Sequence, residues 1–127
     1  MVYVDYLHNI IRRRVSPMAN EKNGNTSMLI LSLLSEEDKY GYQMIEELEK
    51  RSNNIFTLKT GTLYPLLHTL EEDGCITSYE MSGDNKKMRK YYSITKQGIK
   101  KLSKMKAEWS VYSETINIMI RGVRYAN

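Results

Sequence analysis

The sequence of 127 residues is poor in the residues that build disulfides and metal sites, with one cysteine and two histidines. A single thiol cannot form an internal disulfide, and two distant histidines do not provide metal-ligand spacing. The cysteine, Cys75, follows a leucine-rich stretch and a glycine, which indicates a structural thiol kept reduced in the cytosol. We therefore expect a cytoplasmic protein that needs no metal or cofactor.

Long apolar runs and catalytic motifs are lacking as well. No apolar segment reaches the roughly 18 residues needed to cross a bilayer, and the first residues lack the apolar core of a signal peptide. There is no Ser–His–Asp motif and no glycine-rich loop of the kind that cradles phosphate. We therefore expect neither a membrane protein nor an enzyme. The length suits one domain with an added arm or helix.

Residues 59–76, KTGTLYPLLHTLEEDGCI, form the most informative stretch of the chain. Four leucines recur at helical spacing and predict one buried face: Leu63, Leu66, Leu67 and Leu70. Gly74 is expected to end the helix, since glycine readily adopts the left-handed conformation common at helix ends. Polar groups project elsewhere: Thr60, Thr62, Tyr64 and His68. A helix that is buried on one side and polar near its N-terminus suits the major groove of DNA, although ordinary amphipathic helices share the pattern.

Two helices are predicted before this stretch, joined by short connections. Residues 27–35 are almost all apolar and predict a buried helix that Thr26 or Ser27 caps, after a polar linker at residues 19–27. A turn follows, and residues 40–52 predict a second helix. Three side chains are expected on its apolar side: Tyr42, Ile45 and Leu48. Three helices in this order are typical of a helix-turn-helix unit, with the third as its reading helix.

Beyond the reading helix the pattern changes from helical to strand-like. Residues 76–81 and 89–95 are rich in Ile, Thr and Tyr, and turn-forming residues lie between them. A hairpin in this place is the wing of a winged helix-turn-helix. From residue 86 to residue 106 the chain carries nine basic residues and no acidic one. This charge suits a phosphate-binding face on the wing and the start of the last helix, although such runs are often only solvated surface.

The last helix is expected to begin after a Thr95 cap and to run to about Ile120. Large apolar residues recur three and four apart along it: Leu102, Met105, Trp109, Tyr112, Ile116 and Met119. A winged helix of this size does not need so long an apolar stripe for its own core. We therefore expect dimerisation, which would place two reading helices on neighbouring turns of DNA. The alternative is that the stripe covers the core of its own chain.

The first residues of the chain predict a short amphipathic helix, residues 1–15, with Val4, Leu7 and Ile11 on one face. Its arginine triplet at residues 12–14 suits a helix C-terminus, and the functional alternative is a phosphate contact. We expect this helix to pack along the last helix of the partner subunit, because its apolar face needs a cover. A dimer that keeps its stability when residues 1–20 are deleted would contradict this expectation.

The motifs between residues 29 and 102 resemble those of the PadR-like transcriptional regulators. The resemblance rests on LILSLL, YGYQMIEELE, GTLYPLLHTLEEDGCI and RKYYSIT, in this order and at this separation. It implies a winged helix-turn-helix, and Trp109 in the last helix resembles the compact branch with a single C-terminal dimerisation helix. In multidrug-binding members of that branch, paired tryptophans sandwich flat aromatic ligands across the dimer.

The motifs and the resemblance together assign roles to individual residues. DNA contacts are expected from the first turn of the second helix, the reading helix and the wing: Tyr42, Lys59, Thr60, Thr62, Tyr64, His68, Lys86, Lys87 and Arg89. The resemblance implies an interface pocket lined by Met28, Trp109, Tyr112 and Ser113. Dimerisation is expected from Leu102, Met105, Ile116 and Met119. Many family members have a capping serine or threonine where Lys59 stands, an arginine where Thr69 stands, and, in drug-binding members, an acidic residue near Ser113. Packing is the alternative role of Trp109.

The sequence thus predicts an α+β, mainly α-helical protein in three parts. These are an N-terminal accessory helix and arm at residues 1–20, a winged helix-turn-helix at 26–95 and a dimerisation helix at 96–121. We expect a homodimeric repressor that binds a pseudo-palindromic operator in double-stranded DNA and is released by a small flat hydrophobic or aromatic molecule. The alternative is a winged-helix protein-interaction module without specific DNA binding.

Overall fold

The structure, a computed structural model, describes residues 22–83 and 85–122. Within these residues the chain forms four helices and a three-stranded antiparallel sheet. The elements are α1 (Lys22–Glu36), β1 (Lys39–Tyr40), α2 (Gly41–Arg51), α3 (Thr60–Glu72), β2 (Ile76–Ser82), β3 (Met88–Ile94) and α4 (Lys96–Arg121). The mainly helical α+β prediction is confirmed. The helix predicted at residues 1–15 lies outside the described residues, and none of the described helices is long and apolar enough to cross a membrane.

The core lies between α1, α2, α3, one face of the sheet and the start of α4. Its buried apolar side chains are Ile30, Leu31, Leu33, Leu34, Met44, Leu48, Leu58, Leu63, Leu66, Leu67, Leu70, Cys75, Ile76, Tyr92 and Leu102. The four leucines of α3 are buried, as their spacing predicts. Burial of a leucine stabilises the fold by about 1.5–3 kcal/mol relative to exposure. The leucine stripe therefore fixes which side of α3 remains in solvent.

Helix α1 begins at Lys22, so the prediction of a polar linker up to residue 27 and of a cap at Thr26 or Ser27 is wrong. Asparagine, glycine and threonine dominate the residues before Ser27, and their intrinsic helix propensity is low. Helix α1 packs against α4. The helix begins before the apolar run that the sequence displays.

A third strand lies where the sequence predicts only a turn. Strand β1 has two residues, and it pairs with β3 through Lys39 opposite Tyr92 and Tyr40 opposite Tyr91. On its other side β3 pairs with β2 along the full length of both strands, as the predicted hairpin requires. Two residues are too few to display a period of two, so sequence periodicity cannot reveal β1.

Helix α2 buries Gly41, Met44 and Leu48, whereas Tyr42 is 62% exposed. The prediction that Tyr42 belongs to the apolar side of this helix is therefore wrong. The three buried residues are three and four positions apart and share a face, whereas Tyr42 is turned about 100° away from Gly41. The first turn of α2 thus presents an aromatic side chain to solvent.

The junction between α3, β2 and α4 depends on two glycines. Gly74 has a φ of +77°, as expected for the residue that ends α3. A side chain at Gly98 would collide with the backbone carbonyl of Cys75, which is buried as predicted. Thr95 caps α4, also as predicted, because its hydroxyl accepts a hydrogen bond from the Gly98 N–H at 3.0 Å. These contacts fix the start of α4 against the end of α3.

An ion-pair network joins α1, β1 and α2. The side chain of Lys39 is only 2% exposed, and its Nζ lies 2.9 Å from Glu47 Oε2 and 3.2 Å from Glu37 Oε1. Arg51 donates two hydrogen bonds to Glu36, at 2.8 and 2.6 Å, and one to Glu47 at 2.7 Å. Glu47 therefore neutralises two cations, one buried and one on the surface.

The same contacts shift pKa values within the network. Burial lowers the pKa of Lys39, but hydrogen bonds to Glu47 and Glu37 outweigh it and the pKa is raised. The pKa of Glu47 is lowered, chiefly by its hydrogen bond from Lys39. The hydrogen bonds from Arg51 likewise lower the pKa of Glu36. Folding therefore favours the charged forms of these groups.

Candidate nucleic-acid interface

The solvent-facing side of α3, together with Lys59 at its start, is formed by residues that the sequence predicts to contact DNA. We call it the reading face; its predicted members are Lys59, Thr60, Thr62, Tyr64 and His68, and all are exposed. At about 100° per residue, Thr60 and Tyr64 lie at one edge of this face and Thr62 lies at the opposite edge. The structure therefore brings the predicted side chains to one surface that spans the width of the helix.

Pro65 lies inside α3, where it cannot donate a backbone hydrogen bond. A residue at this position of α3 would normally donate its N–H to the carbonyl of Gly61, four residues earlier, and proline has no N–H. Gly61 is exposed, and a Cβ added to it would meet open space within the described part of the protein. The first turn therefore offers room for close approach as well as two hydroxyl groups.

Tyr64 connects the reading face to the start of α2. Its side chain is 46% exposed, and its ring lies over Gly41. Tyr42 follows Gly41 and is exposed, so its predicted DNA-backbone contact would be made from a surface that adjoins the reading face. The pKa of the nearby Tyr92 is raised, first by burial and then by Tyr64 and Glu71. Tyr64 thus lies where α2, α3 and the sheet meet.

The wing ends in a tight turn that presents two lysines. The Gly83 N–H donates to the Lys87 carbonyl at 2.8 Å, and the Lys86 N–H donates to the Gly83 carbonyl at 2.9 Å. Lys86 has a φ of +61°, which is uncommon for a residue with a side chain. Both lysines are exposed. The turn therefore places two cationic side chains at the tip, as the sequence predicts.

Arg89, which the sequence groups with these lysines, is held on the sheet. It is half-buried, and its guanidinium carbon lies 4.5 Å from the ring centre of Tyr40, within the range of a cation–π contact. A Cβ added to Gly83 would lie 2.9 Å from Arg89 Nη1, so the guanidinium also packs on the turn of the wing. Tyr40 in turn meets the ring of Tyr91 edge to face, with ring centres 5.4 Å apart. Arg89 therefore ties the wing to β1.

The basic stretch from residue 86 to residue 106 does not form one continuous face. Strand β3 spans about 23 Å and separates the wing tip from the lysines of α4. Those lysines lie beside the C-terminal end of α3, where Lys101 Nζ is 3.7 Å from Asp73 Oδ2 and Gln97 Nε2 donates to the Asp73 carbonyl at 2.8 Å. Helix α3 is about 20 Å long, so this end is distant from Lys59. The lysines of α4 therefore lie at the opposite end of α3 from Lys59.

The apolar stripe of α4 divides between the core and solvent. Leu102 is 4% exposed and belongs to the core of its own chain, so its assignment to dimerisation is wrong. Met105 is half-buried and packs against the same core. Further along, Ile116 and Met119 are exposed, together with Ile120. The beginning of the α4 stripe thus covers the core of its own chain, which is the alternative considered for the whole stripe. The last turns of α4 remain available to a partner.

The four residues assigned to an interface pocket lie on α1 and on the middle of α4. Met28 is half-buried against the core. The Trp109 and Tyr112 rings have centres 5.9 Å apart and planes inclined by 39°. The Ser113 hydroxyl donates to the Ser110 carbonyl at 3.3 Å, within its own helix. These contacts arrange two aromatic rings side by side on the surface of one protomer.

Comparison with known proteins decides the family. The model of the transcriptional regulator PadR-like family matches residues 30–104, more than half of the chain. The protein belongs to the PadR-like family. A PadR-like transcriptional regulator of Bacillus cereus has a similar structure, with 30% identity, a TM-score of 0.70 and coverage of 80% of this chain and 96% of that one.

Two further relatives are similar over most of the chain. A transcriptional regulator of Clostridium thermocellum has 37% identity and a TM-score of 0.69, covering 75% of this chain and 92% of that one. An uncharacterised protein of Lysinibacillus sphaericus is 36% identical over 100 residues, which cover 79% of this chain and 92% of that protein. The winged-helix architecture of this PadR-like protein is therefore shared over most of the described chain.

Sequence reasoning missed the residues that connect the elements predicted to contact DNA in this PadR-like protein. Tyr40 and Gly41 were predicted only as a turn and a helix start, yet they contact Arg89 and Tyr64. Tyr79 was also missed; its O–H donates to Asp38 Oδ2 at 2.7 Å, which raises the pKa of Tyr79. Each pair is distant in sequence or lacks a periodic signal, so only the fold brings the partners together.

Proposed function

We propose that this PadR-like protein is a cytoplasmic, homodimeric repressor that binds a pseudo-palindromic operator in double-stranded DNA. The main support is the division of α3 into two sides. It buries four leucines on one side and exposes hydroxyl, aromatic and amino groups on the reading face. Such a helix can enter the major groove, where hydrogen-bonding side chains distinguish base pairs. The two lysines of the wing tip would add phosphate contacts, which supply affinity without sequence preference.

The proposal divides the chain into three functional parts. Residues 26–95 would form the DNA-binding unit and residues 96–121 the dimerisation helix, with residues 1–20 as an accessory helix on the partner subunit. The exposed apolar residues in the last turns of α4 support the dimer, because large exposed apolar patches mark interaction sites. Two-fold symmetry would then set the spacing of two reading faces on one side of the duplex.

The direct test is fluorescence anisotropy with the DNA upstream of the protein's own gene, compared with scrambled DNA of equal length at two salt concentrations. We expect tighter binding to the native sequence and a steep loss of affinity with salt, since each phosphate contact releases counterions. Equal, weak binding to both DNAs would leave only the electrostatic attraction and contradict a specific operator at this position.

Substitutions on the wing and on the reading face should have different effects. Lys86→Ala combined with Lys87→Ala should weaken binding to all sequences and reduce the slope of log affinity against log salt by about 2, because two phosphate contacts are lost. Thr62→Ala should instead reduce the preference for the operator, by roughly tenfold or less. Lys100→Ala combined with Lys104→Ala removes the same two charges from exposed positions of α4, distant from the reading face, and is the matched control. Equal effects of the wing and control variants would contradict the wing assignment.

The alternative function is a protein-interaction module that uses the winged helix without specific DNA binding. It predicts that the wing and reading-face variants leave partner binding intact and that the wild-type protein does not discriminate between the two DNAs. The exposed reading face favours the DNA-binding proposal, since a purely structural helix does not need a first turn with two hydroxyl groups and an open glycine.

Regulation is proposed to act through a flat aromatic ligand bound between the two Trp109 side chains of the dimer. The observation behind it is the partly exposed Trp109 ring beside Tyr112. Such a ligand should quench Trp109 fluorescence and lower operator affinity, by favouring a different angle between the winged domains. Trp109→Ala should remove the response to the ligand while the dimer persists. A Trp109→Ala dimer that still releases DNA would identify Trp109 as a packing residue.

A further inference from the structure

We infer that the dipeptide Tyr40–Gly41 positions the two elements proposed to contact DNA relative to one another. Gly41 leaves the space in which the Tyr64 ring of the reading face lies, and the Tyr40 ring supports Arg89 of the wing. This inference deepens the proposed function and rests on it. Neither Tyr40 nor Gly41 is itself among the residues expected to contact DNA. Both would act as positioning residues, through side chains on other elements.

Gly41 is required by space and not by backbone conformation. Its φ is not positive; among the described glycines only Gly74 and Gly122 have a positive φ. A Cβ added to Gly41 would lie 2.5 Å from the hydroxyl oxygen of Tyr64, 2.9 Å from its Cζ and 3.3 Å from its Cε1. The first two distances are shorter than real Cβ contacts, and the third is slightly shorter than ordinary van der Waals contact. Any side chain at position 41 must therefore push the Tyr64 ring away from the start of α2.

Tyr64 is 46% exposed, so its ring can move aside into solvent, and that movement changes the reading face. Its ring lies over Gly41 at the start of α2. Its neighbours in α3, Leu63 and Leu66, are buried in the core and hold the helix backbone in place. The ring must therefore rotate towards solvent, into the space that a DNA groove would occupy.

Tyr40 makes the corresponding contact with the wing. The Arg89 guanidinium lies 4.5 Å from the Tyr40 ring centre, and Tyr91 supports the same ring edge to face. Tyr40 also pairs with Tyr91 in the sheet, so its ring is attached to a rigid element. Gly41 follows Tyr40 directly in the chain. One peptide unit therefore links the residue that contacts Tyr64 of the reading face to the residue that contacts Arg89 of the wing. This linkage sets how the two elements approach one duplex.

A double-substitution cycle tests the Gly41 contact. We expect Gly41→Ala to weaken binding to the operator roughly tenfold, the size of one lost base contact, and to reduce the preference over scrambled DNA. In a Tyr64→Ala background the same change should alter affinity less than about twofold, because the displaced ring is absent. A merely structural role for Gly41 would instead weaken binding to both DNAs equally and would persist in the Tyr64→Ala background.

Thermal unfolding of the same four proteins provides a readout that does not need DNA. Alanine ordinarily stabilises a helix relative to glycine. Gly41→Ala should therefore lower the melting temperature only in the protein that keeps the Tyr64 ring, because the added Cβ collides with that ring. Gly61→Ala, where a Cβ meets open space, is the control for stability and should not lower it. A decrease with Gly41→Ala that is equal with and without the Tyr64 ring would overturn the inference.

The Tyr40 contact has its own cycle with Arg89. Tyr40→Leu and Arg89→Gln should each weaken operator binding several-fold, and the double variant should be no weaker than the more affected single variant. Additive effects would show that Arg89 acts independently of Tyr40 and would overturn this half of the inference. If wild-type protein shows no preference for its operator, the proposed function fails. The thermal cycle still tests the contact between Gly41 and Tyr64 in that case.

Discussion

Replacing Glu47 by alanine is expected to destabilise the folded protein by about 3 kcal/mol, near the lower end of what breaking a buried ion pair costs. The Lys39 side chain is 2% exposed, and Glu47 lies 2.9 Å from its Nζ. Without Glu47 the buried ammonium retains only Glu37, whose side chain is 70% exposed. Chemical denaturation followed by circular dichroism measures the loss. The cost arises because a charge that has lost its main partner stays out of water.

Glu46→Ala is the matched control, since Glu46 is an exposed residue of the same helix and carries the same charge. It should change stability by less than about 0.5 kcal/mol. Lys39→Met combined with Glu47→Leu should recover most of the lost stability, because an apolar pair of similar volume removes the uncompensated charge. Equal effects of Glu46→Ala and Glu47→Ala would show that the network does not contribute as described.

The same network predicts how stability depends on pH. The pKa values of Glu47 and Glu36 are lowered by their hydrogen bonds from Lys39 and Arg51, so their contribution is present above the ordinary carboxyl pKa and is lost as pH falls through the lowered values. The pKa of Lys39 is raised, so its contribution is present below the ordinary lysine pKa and is lost only as pH rises beyond the raised value. Wild-type protein should therefore lose more stability on acidification than Glu47→Ala does.

Replacing Ile116 by aspartate is expected to convert the proposed dimer into monomers and to lower operator affinity at least about 100-fold. Ile116 lies in the exposed part of the α4 stripe. In a two-fold dimer each substitution occurs twice, so two buried isoleucines, each worth about 1.5–3 kcal/mol, would be lost and two charges would enter an apolar contact. A monomer presents one reading face instead of two. Analytical ultracentrifugation and anisotropy measure the two consequences separately.

Asn117→Asp is the matched control for this prediction. It adds the same charge at the next position of α4, about 100° around the helix from Ile116, where the native side chain is already polar and exposed. The control should remain dimeric and bind the operator with less than about threefold change. A dimeric Ile116→Asp protein would show that the exposed end of α4 serves some other contact.

The sequence by itself determined the parts of this protein that depend on local periodicity and local capping. The leucines of α3 define its buried side because residues three and four apart share a face. Gly74 and Thr95 mark helix boundaries because glycine tolerates a positive φ and threonine can accept a backbone N–H. The hairpin follows from its β-rich strands and its turn residues. The polar first turn of α3, on which the proposed function rests, could also be predicted from the sequence because it depends on local periodicity.

The tertiary structure alone decided which of these local features meet. It showed that α1 begins at Lys22 and packs on α4, and it assigned Leu102 to the core of its own chain. It separated the lysines of α4 from the wing, because β3 carries the chain away from the tip. It also brought the Tyr64 ring into contact with Gly41 and the Arg89 guanidinium over the Tyr40 ring. Contacts between residues distant in sequence leave no periodic pattern, since they depend on how whole elements pack and not on the preferences of single residues.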